Sequence, residues 1–384
     1  MTATTPHRSA EEAPTSPSPS PSPSSSSSTA TTTADSSKPT VPGVFGPIPT
    51  DMVIDADRAH PLTARIPLKP GRWYWRDLIA TLDPVADAAE IHRITAAYEF
   101  PWDYQRALEL ALYRTYCVPS VSAVLSEAGN FRDKPQQRYD DTALLMAELV
   151  EYGYDSTRGK ESLRVINRQH SMYDITNDDM LYVLSTFIYE PLEWIDANGW
   201  RRLHPNERLA AFNFYRAVGN RMNIADIPED MAEFRRWRDD YEARVFRYAD
   251  TNHEIGTYTL ELMCSWFPKP IRPAVRKGVM SILDDDMARA FGFPAPSPVL
   301  RNAAYAAIRA RSRIIRWFPV RRKAFGTEGT ENRTYPGYPN GYRPADLGAH
   351  PIIPRDRAGA GGCPVPHGGA VGGCPVPHGG RLGR

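Results

Sequence analysis

Histidine, which can both ligate a metal and move a proton near neutral pH, is scarce here, with 9 in 384 residues. His170 stands out. In the run Leu163 to His170, Leu163, Ile166 and His170 share one helical face with Asn167 beside them. An imidazole on an apolar face is either a core side chain bonded to a carbonyl or a neutral axial ligand of haem iron, and spacing alone does not separate the two. One helix earlier, Arg138, Asp141 and Thr142 fall within a single turn. They make either a local ion pair at the start of an amphipathic helix or a polar wall over a bound cofactor.

The remaining candidates are weaker. The span Asp178 to Ala197 is apolar nearly all round (Met180, Leu181, Val183, Leu184, Phe187, Ile188, Leu192). It belongs at the centre of a core, where the same wall suits a porphyrin or a greasy substrate, and Pro191 is expected to kink it. His253 suits a helix start, and His92 and His204 read as surface residues among polar neighbours. Arg301 to Phe325 carries eight basic residues and no acidic one, interleaved with Ile314, Ile315, Trp317, Phe318 and Val320. That is a solvated basic face or a surface for anionic lipid head groups. The duplicated Cys363-Pro-Val-Pro-His367 and Cys374-Pro-Val-Pro-His378 units contain metal-ligand types, but their Gly and Pro surroundings offer no frame to close a site. The sequence has no Gly-rich phosphate loop, His-Glu-x-x-His, Gly-x-Ser-x-Gly or Cys-x-x-Cys, so nucleotide, zinc-protease and serine-hydrolase chemistry lack support.

Helices must position these residues. From Trp73 to about Phe318 apolar residues recur at helical spacing with almost no alternation. The spacing predicts helices over 87–98, 103–116, 120–127, 139–151, 160–173, 178–197, 206–223, 230–248, 254–266, 273–291 and 299–317. Pro101 and Pro119 are expected to end apolar runs, Asn177 and Asp178 to cap the next helix, and Pro205 and Pro228 to sit in first turns. The reading is all-α, with one helical domain over 73–325. A Ser/Thr/Pro-rich tail over 1–50 and a Gly/Pro-rich tail over 326–384 flank it, both expected to be disordered.

Charge and cysteine set outer limits. Lys+Arg number 46 against 45 Asp+Glu, a formal net charge of +1, which argues against a nucleic-acid partner held by global charge. Four cysteines are too few for a disulfide scaffold in a chain this long. There is no signal-peptide pattern and no apolar run of membrane-spanning length. The expectation is a cytoplasmic protein, at most peripheral to a membrane through 301–325.

A set of short segments then carries a resemblance: Tyr98-Glu99-Phe100-Pro101-Trp102-Asp103, Arg106 to Glu109, Tyr113-Arg114-Thr115, Val118-Pro119-Ser120, Arg138 to Thr142, Asn167-Arg168-Gln169-His170, Ile175 to Tyr182, and Glu190-Pro191 with Trp194. Together they resemble the oxygenase family of the mycophenolic acid oxygenase and the rubber oxygenases, the latex-clearing proteins, with the mycophenolic-type branch closer. The resemblance implies a globin-like haem-holding core, haem b as cofactor and oxidation or cleavage of a carbon-carbon double bond of an isoprenoid-like substrate by O2. It implies His170 as the iron ligand, with Arg168 and Leu184 as further cofactor contacts. Arg138 and Thr142 would polarise oxygen, and Asp141 would orient Arg138 or a water. Asp141 departs from the rubber enzymes, which carry a lysine there, so an open or water-bound distal position is expected. The alternative is a haem or metal carrier that uses the Cys-Pro-Val-Pro-His repeats without catalysis.

Overall fold

Several helices begin where a side chain satisfies the first backbone donors. Thr176 and Asp230 accept from the backbone nitrogens of Asp179 and Glu233, and His204 with Glu207 forms a reciprocal cap. The computed structural model describes residues 66–67, 69–325, 338 and 342–348. The 1–50 tail and the Cys-Pro-Val-Pro-His repeats lie outside these residues; the 326–384 tail, expected to be disordered, is described at 338 and 342–348, where Pro344–Asp346 forms a 3-10 turn.

The protein is all-α. The helices are α1 (Tyr74–Ile79), α2 (Ala88–Arg93), α3 (Pro101–Thr115), α4 (Pro119–Ala128), α5 (Asn130–Asp133), α6 (Pro135–Tyr152), α7 (Thr157–His170) and α8 (Asn177–Asn198). They continue as α9 (Pro205–Arg221), α10 (Met231–Val245), α11 (Asp250–Ser265), α12 (Arg272–Ile282), α13 (Asp285–Phe291) and α14 (Pro298–Ile315). A π-helical turn, Ile94–Glu99, joins α2 to α3.

Several edges differ from those read in the sequence. Pro101 and Pro119 open helices rather than closing them, because a first-turn residue needs no amide donor. Thr176, not Asn177 or Asp178, caps α8, and Pro228 lies in the loop before α10. The span 273–291 is two helices. Leu283 is extended and the Asp284 carboxylate accepts from the Met287 amide, so a cap interrupts what periodicity reads as continuous. The helix carrying His170 ends on that residue, three short of the expected limit.

The main core is built around α8, which packs along α3 and also against α9, α10 and α14. Leu181, Leu184, Phe187, Ile188, Leu192 and Trp194 are all buried. Each such side chain contributes about 1.5–3 kcal/mol in transfer terms. Pro191 is buried within this unbroken helix. At Gly219 of α9, a Cβ would stand 2.5 Å from Leu184 Cδ2, so glycine is what lets Leu184 press onto the α9 backbone.

A polar network fastens the same helices together. Arg114 of α3 donates from Nε to Glu242 Oε1 of α10 at 2.7 Å and also bonds Asp284 before α13. Glu190 of α8 lies 3.4 Å from Arg114 and 3.8 Å from Arg238. Burial pushes the Glu190 carboxyl up to about 7, against the pull of these two arginines.

Candidate functional site

The helical hairpin α6–α7 positions the candidate residues. Its turn depends on close approach: a Cβ on Gly159 would lie 2.0 Å from the carbonyl oxygen of Gly153, while Ser156 caps α7 by accepting from the Gly159 amide at 2.9 Å. Counting outward from this turn, Arg138 on α6 and His170 on α7 are each about 14 residues away, so a 1.5 Å rise per residue brings both to the same end of the hairpin. Side-chain electrostatics agree. Burial first, and then the nearby positive charge of Arg138, push the His170 imidazole down to about 4. It is therefore neutral at physiological pH.

His170 keeps some solvent contact, but its Nδ1 is buried and has no hydrogen-bond partner. Buried polar atoms are usually paired; His92 Nδ1 is unpaired in the same way, so what sets His170 apart is the arginine beside it. Arg138 bonds the Thr142 hydroxyl, and that hydroxyl donates to the Arg138 carbonyl at 3.1 Å. Thr142 therefore uses its own proton on the backbone and braces the guanidinium. Remaining donor capacity belongs to Arg138, whose guanidinium lies 5.5 Å from the ring centroid of Phe131. Tyr116 and Tyr173 also feel its charge.

Asp141 is fully buried and accepts from the Tyr338 hydroxyl. Seven residues on, Glu148 accepts from Tyr342 at 2.8 Å and from Arg158 at 2.6 Å. Asp141 and Glu148 thus hold Tyr338 and Tyr342 against the hairpin. Arg168 is exposed and, at about 100° per residue, stands roughly 200° round α7 from His170, so it is not brought to the same side. Leu184 is buried against α9. Asn167 donates from Nδ2 to the Arg221 carbonyl at 2.9 Å.

On the other flank of Thr142 lies a cavity of about 130 Å³ between α3 and α6. Leu108, Ala143, Met146, Ala147 and Phe187 give it an apolar wall, with Thr142 at its edge. Its polar corner is Glu109, which accepts from Tyr139 at 2.6 Å and pairs with Arg106. Tyr104 also lines it. Its hydroxyl lies 2.9 Å from His92 Nε2 and 2.5 Å from the Tyr215 hydroxyl. His92 is not a surface residue. It is 2% exposed and stacks on Phe214 at 4.4 Å, because Arg93 beside it is neutralised by Glu90 at 3.0 Å and can be buried with it. His204 is the cap of α9. His253 Nδ1 donates to the Phe291 carbonyl at 2.7 Å, a tertiary contact rather than a cap.

The glutamate at 109 and the His92–Tyr104–Tyr215 cluster were not singled out by spacing. The Arg106/Glu109 interval of three was the available signal for the first; the second joins residues up to 111 apart in the chain and leaves no local signal.

Among the described residues no group of three or more His, Cys, Asp or Glu side chains is arranged to hold a metal ion. Any iron would need most of its ligands from a prosthetic group, with one neutral imidazole completing the set. The donor set at His170 fits that description.

The chain is thus a helical core with a neutral imidazole beside an arginine, and comparison with known proteins gives its family. Residues 103–317 match the family described as ER-bound oxygenase mpaB/B'/Rubber oxygenase, catalytic domain, and the chain belongs to this family. It is 28% identical over 257 residues to the ER-bound oxygenase mpaB' of Penicillium brevicompactum, covering 62% of this chain and 60% of that protein. It is 30% identical over 223 residues to the ER-bound oxygenase mpaB of Penicillium roqueforti, covering 53% of this chain and 74% of the relative. A third relative, mpaB of Penicillium brevicompactum, is 30% identical over 198 residues, 47% of this chain and 50% of its own length. The chain thus spans between half and three quarters of these relatives. No helix among the described residues is long and apolar enough to cross a membrane.

Proposed function

We propose that this protein is a haem-dependent oxygenase that uses O2 to oxidise or cleave a carbon-carbon double bond of a lipophilic, isoprenoid-like substrate. Membership of an oxygenase family sets the reaction class. The single observation that carries the assignment to residues is the neutral imidazole of His170, its buried Nδ1 unpaired, placed beside Arg138. His170 would hold the iron of haem b, with the apolar side chains of the core, Leu184 among them, as surroundings for the ring. Haem, when bound, supplies the activation of O2 that no side chain provides.

The chain's own residues do the rest. Burial, and after it the charge of Arg138, keeps His170 unprotonated and so available as a ligand, and the Arg138 guanidinium is the donor for negative charge developing on oxygen. Thr142 holds that guanidinium to α6. Asp141, engaged with Tyr338, keeps the hairpin covered. The cavity between α3 and α6 offers an apolar wall that excludes water and orients an alkene near Thr142. At about 130 Å³ it is smaller than the roughly 300–1,000 Å³ of sites for compact drug-sized ligands, which favours a thin chain segment over a fused ring system.

The absorption spectrum of the full chain, produced with haem supplied, tests this reading. A Soret band is expected, with its loss in His170→Ala and its recovery on adding imidazole. A colourless wild-type protein, or a His170→Ala protein that keeps its full Soret band while folding normally, would overturn it.

A further inference from the structure

The stretch that follows α14 is fixed in place and yet presents large apolar side chains to solvent. Val320 is buried among α1 and α2, the Trp75 indole donates to the Arg321 carbonyl at 3.1 Å, and the Phe325 amide donates to the Ala97 carbonyl at 2.9 Å. These anchors leave Ile314, Trp317 and Phe318 61, 87 and 55% exposed. Together with Arg313 and Pro319 they line a shallow surface depression. A tryptophan held this far into water by an otherwise anchored segment serves nothing in the fold, since burying it would be worth more than burying any neighbour.

Charge around the patch has one sign. Arg309, Arg313, Arg316, Arg321, Arg322 and Lys323 are exposed, and no acidic residue occurs from Arg301 to Phe325. Arg72 donates to the Arg316 carbonyl at 3.3 Å, and its own charge is paired with buried Glu99 at 3.4 Å. Asp77 of α1 is paired with Arg76. We propose that this face seats the protein on an anionic phospholipid bilayer, with Trp317, Phe318 and Ile314 entering the head-group layer and the surrounding arginines meeting lipid phosphates.

The combination selects the occupant. A second copy docked by this patch would bring like charges together across a symmetric interface, and a nucleic acid would match the charge but leave three apolar side chains unserved. An anionic interface satisfies both, because aromatic rings partition to the head-group level while basic side chains are drawn to the negative surface potential. The segment that carries Trp317 also supplies Phe325 to the wall of the cavity between α3 and α6.

Co-sedimentation of the full chain with vesicles tests the proposal. The protein is expected in the pellet with phosphatidylcholine vesicles containing about a third phosphatidylserine, in the supernatant with phosphatidylcholine alone, and released by raised salt. Two independent double variants, Trp317→Ala with Phe318→Ala and Arg309→Glu with Arg313→Glu, should each lower the partition coefficient about tenfold while melting like the parent. Wild-type protein that stays in the supernatant with anionic vesicles, or binding unchanged in both variants, overturns the proposal. So does a dimer, seen by sedimentation velocity, that the aromatic variant dissociates, because that result assigns the patch to a second copy.

Discussion

Two imidazoles in this molecule are pushed in the same direction and used differently. His92 is driven down to about 3 by burial alone, and His170 to about 4 by burial together with the charge of Arg138. His92 is enclosed: its Nε2 meets the Tyr104 hydroxyl, and its ring stacks on Phe214. His92 and His170 each leave Nδ1 unpaired, but His170 sits on the last turn of α7 with the charge of Arg138 nearby. Burial makes both neutral. A nearby cation disfavours protonation further without penalising the neutral ring, and the proposed ligand role of His170 rests on that difference.

Four experiments would sharpen or break this contrast. The largest effect is expected at the ligand: His170→Ala should abolish the Soret band whereas His92→Phe should retain it, compared by absorption at matched protein concentration. Next, Arg138→Ala should keep the haem but lower O2-dependent turnover about 10²- to 10³-fold, the usual cost of losing one preorganised donor; oxygen consumption measures it, and unchanged turnover would remove Arg138 from the reaction. Third, Arg114→Ala leaves Glu190 and Glu242 buried without their shared partner and should cost about 3–5 kcal/mol in denaturant unfolding, well above the effect at exposed Arg168, where Arg168→Ala should change stability by about 0.5 kcal/mol or less.

The fourth and smallest effect concerns pH. In the unfolded chain His92 takes up a proton near pH 6.5, whereas in the fold it stays neutral down to about 3. Its contribution is therefore level above about pH 6.5 and falls as pH drops below that, with a limiting slope of about 1.4 kcal/mol per pH unit. His92→Phe should flatten the acid limb of a stability-against-pH curve, and an unaltered limb would mean that His92 titrates normally.

The helical class was legible because apolar spacing near 3.6 residues survives without knowledge of partners. The juxtaposition of Arg138 and His170 was not legible in this way, since it depends on the 18-residue α6 and the 14-residue α7 folding back on one another. Residue types also identified the basic, acid-free stretch from Arg301 to Phe325. Other features were closed to a local reading. The break at Asp284 was hidden because a capping carboxylate looks like any helical aspartate. His92 was read as exposed because Arg93 beside it is paired by Glu90 only once both are folded inside.

Sequence by itself determined the helices, their amphipathic faces and the types of group that could bind a cofactor or a membrane, because these follow from backbone geometry and side-chain chemistry within a few turns. Tertiary structure alone decided which imidazole lies beside a cation, which carboxylates hold Tyr338 and Tyr342, and that Trp317 faces water. Each of these depends on what approaches from distant parts of the chain, and burial, not residue type, sets the energy of a charge or an unpaired nitrogen.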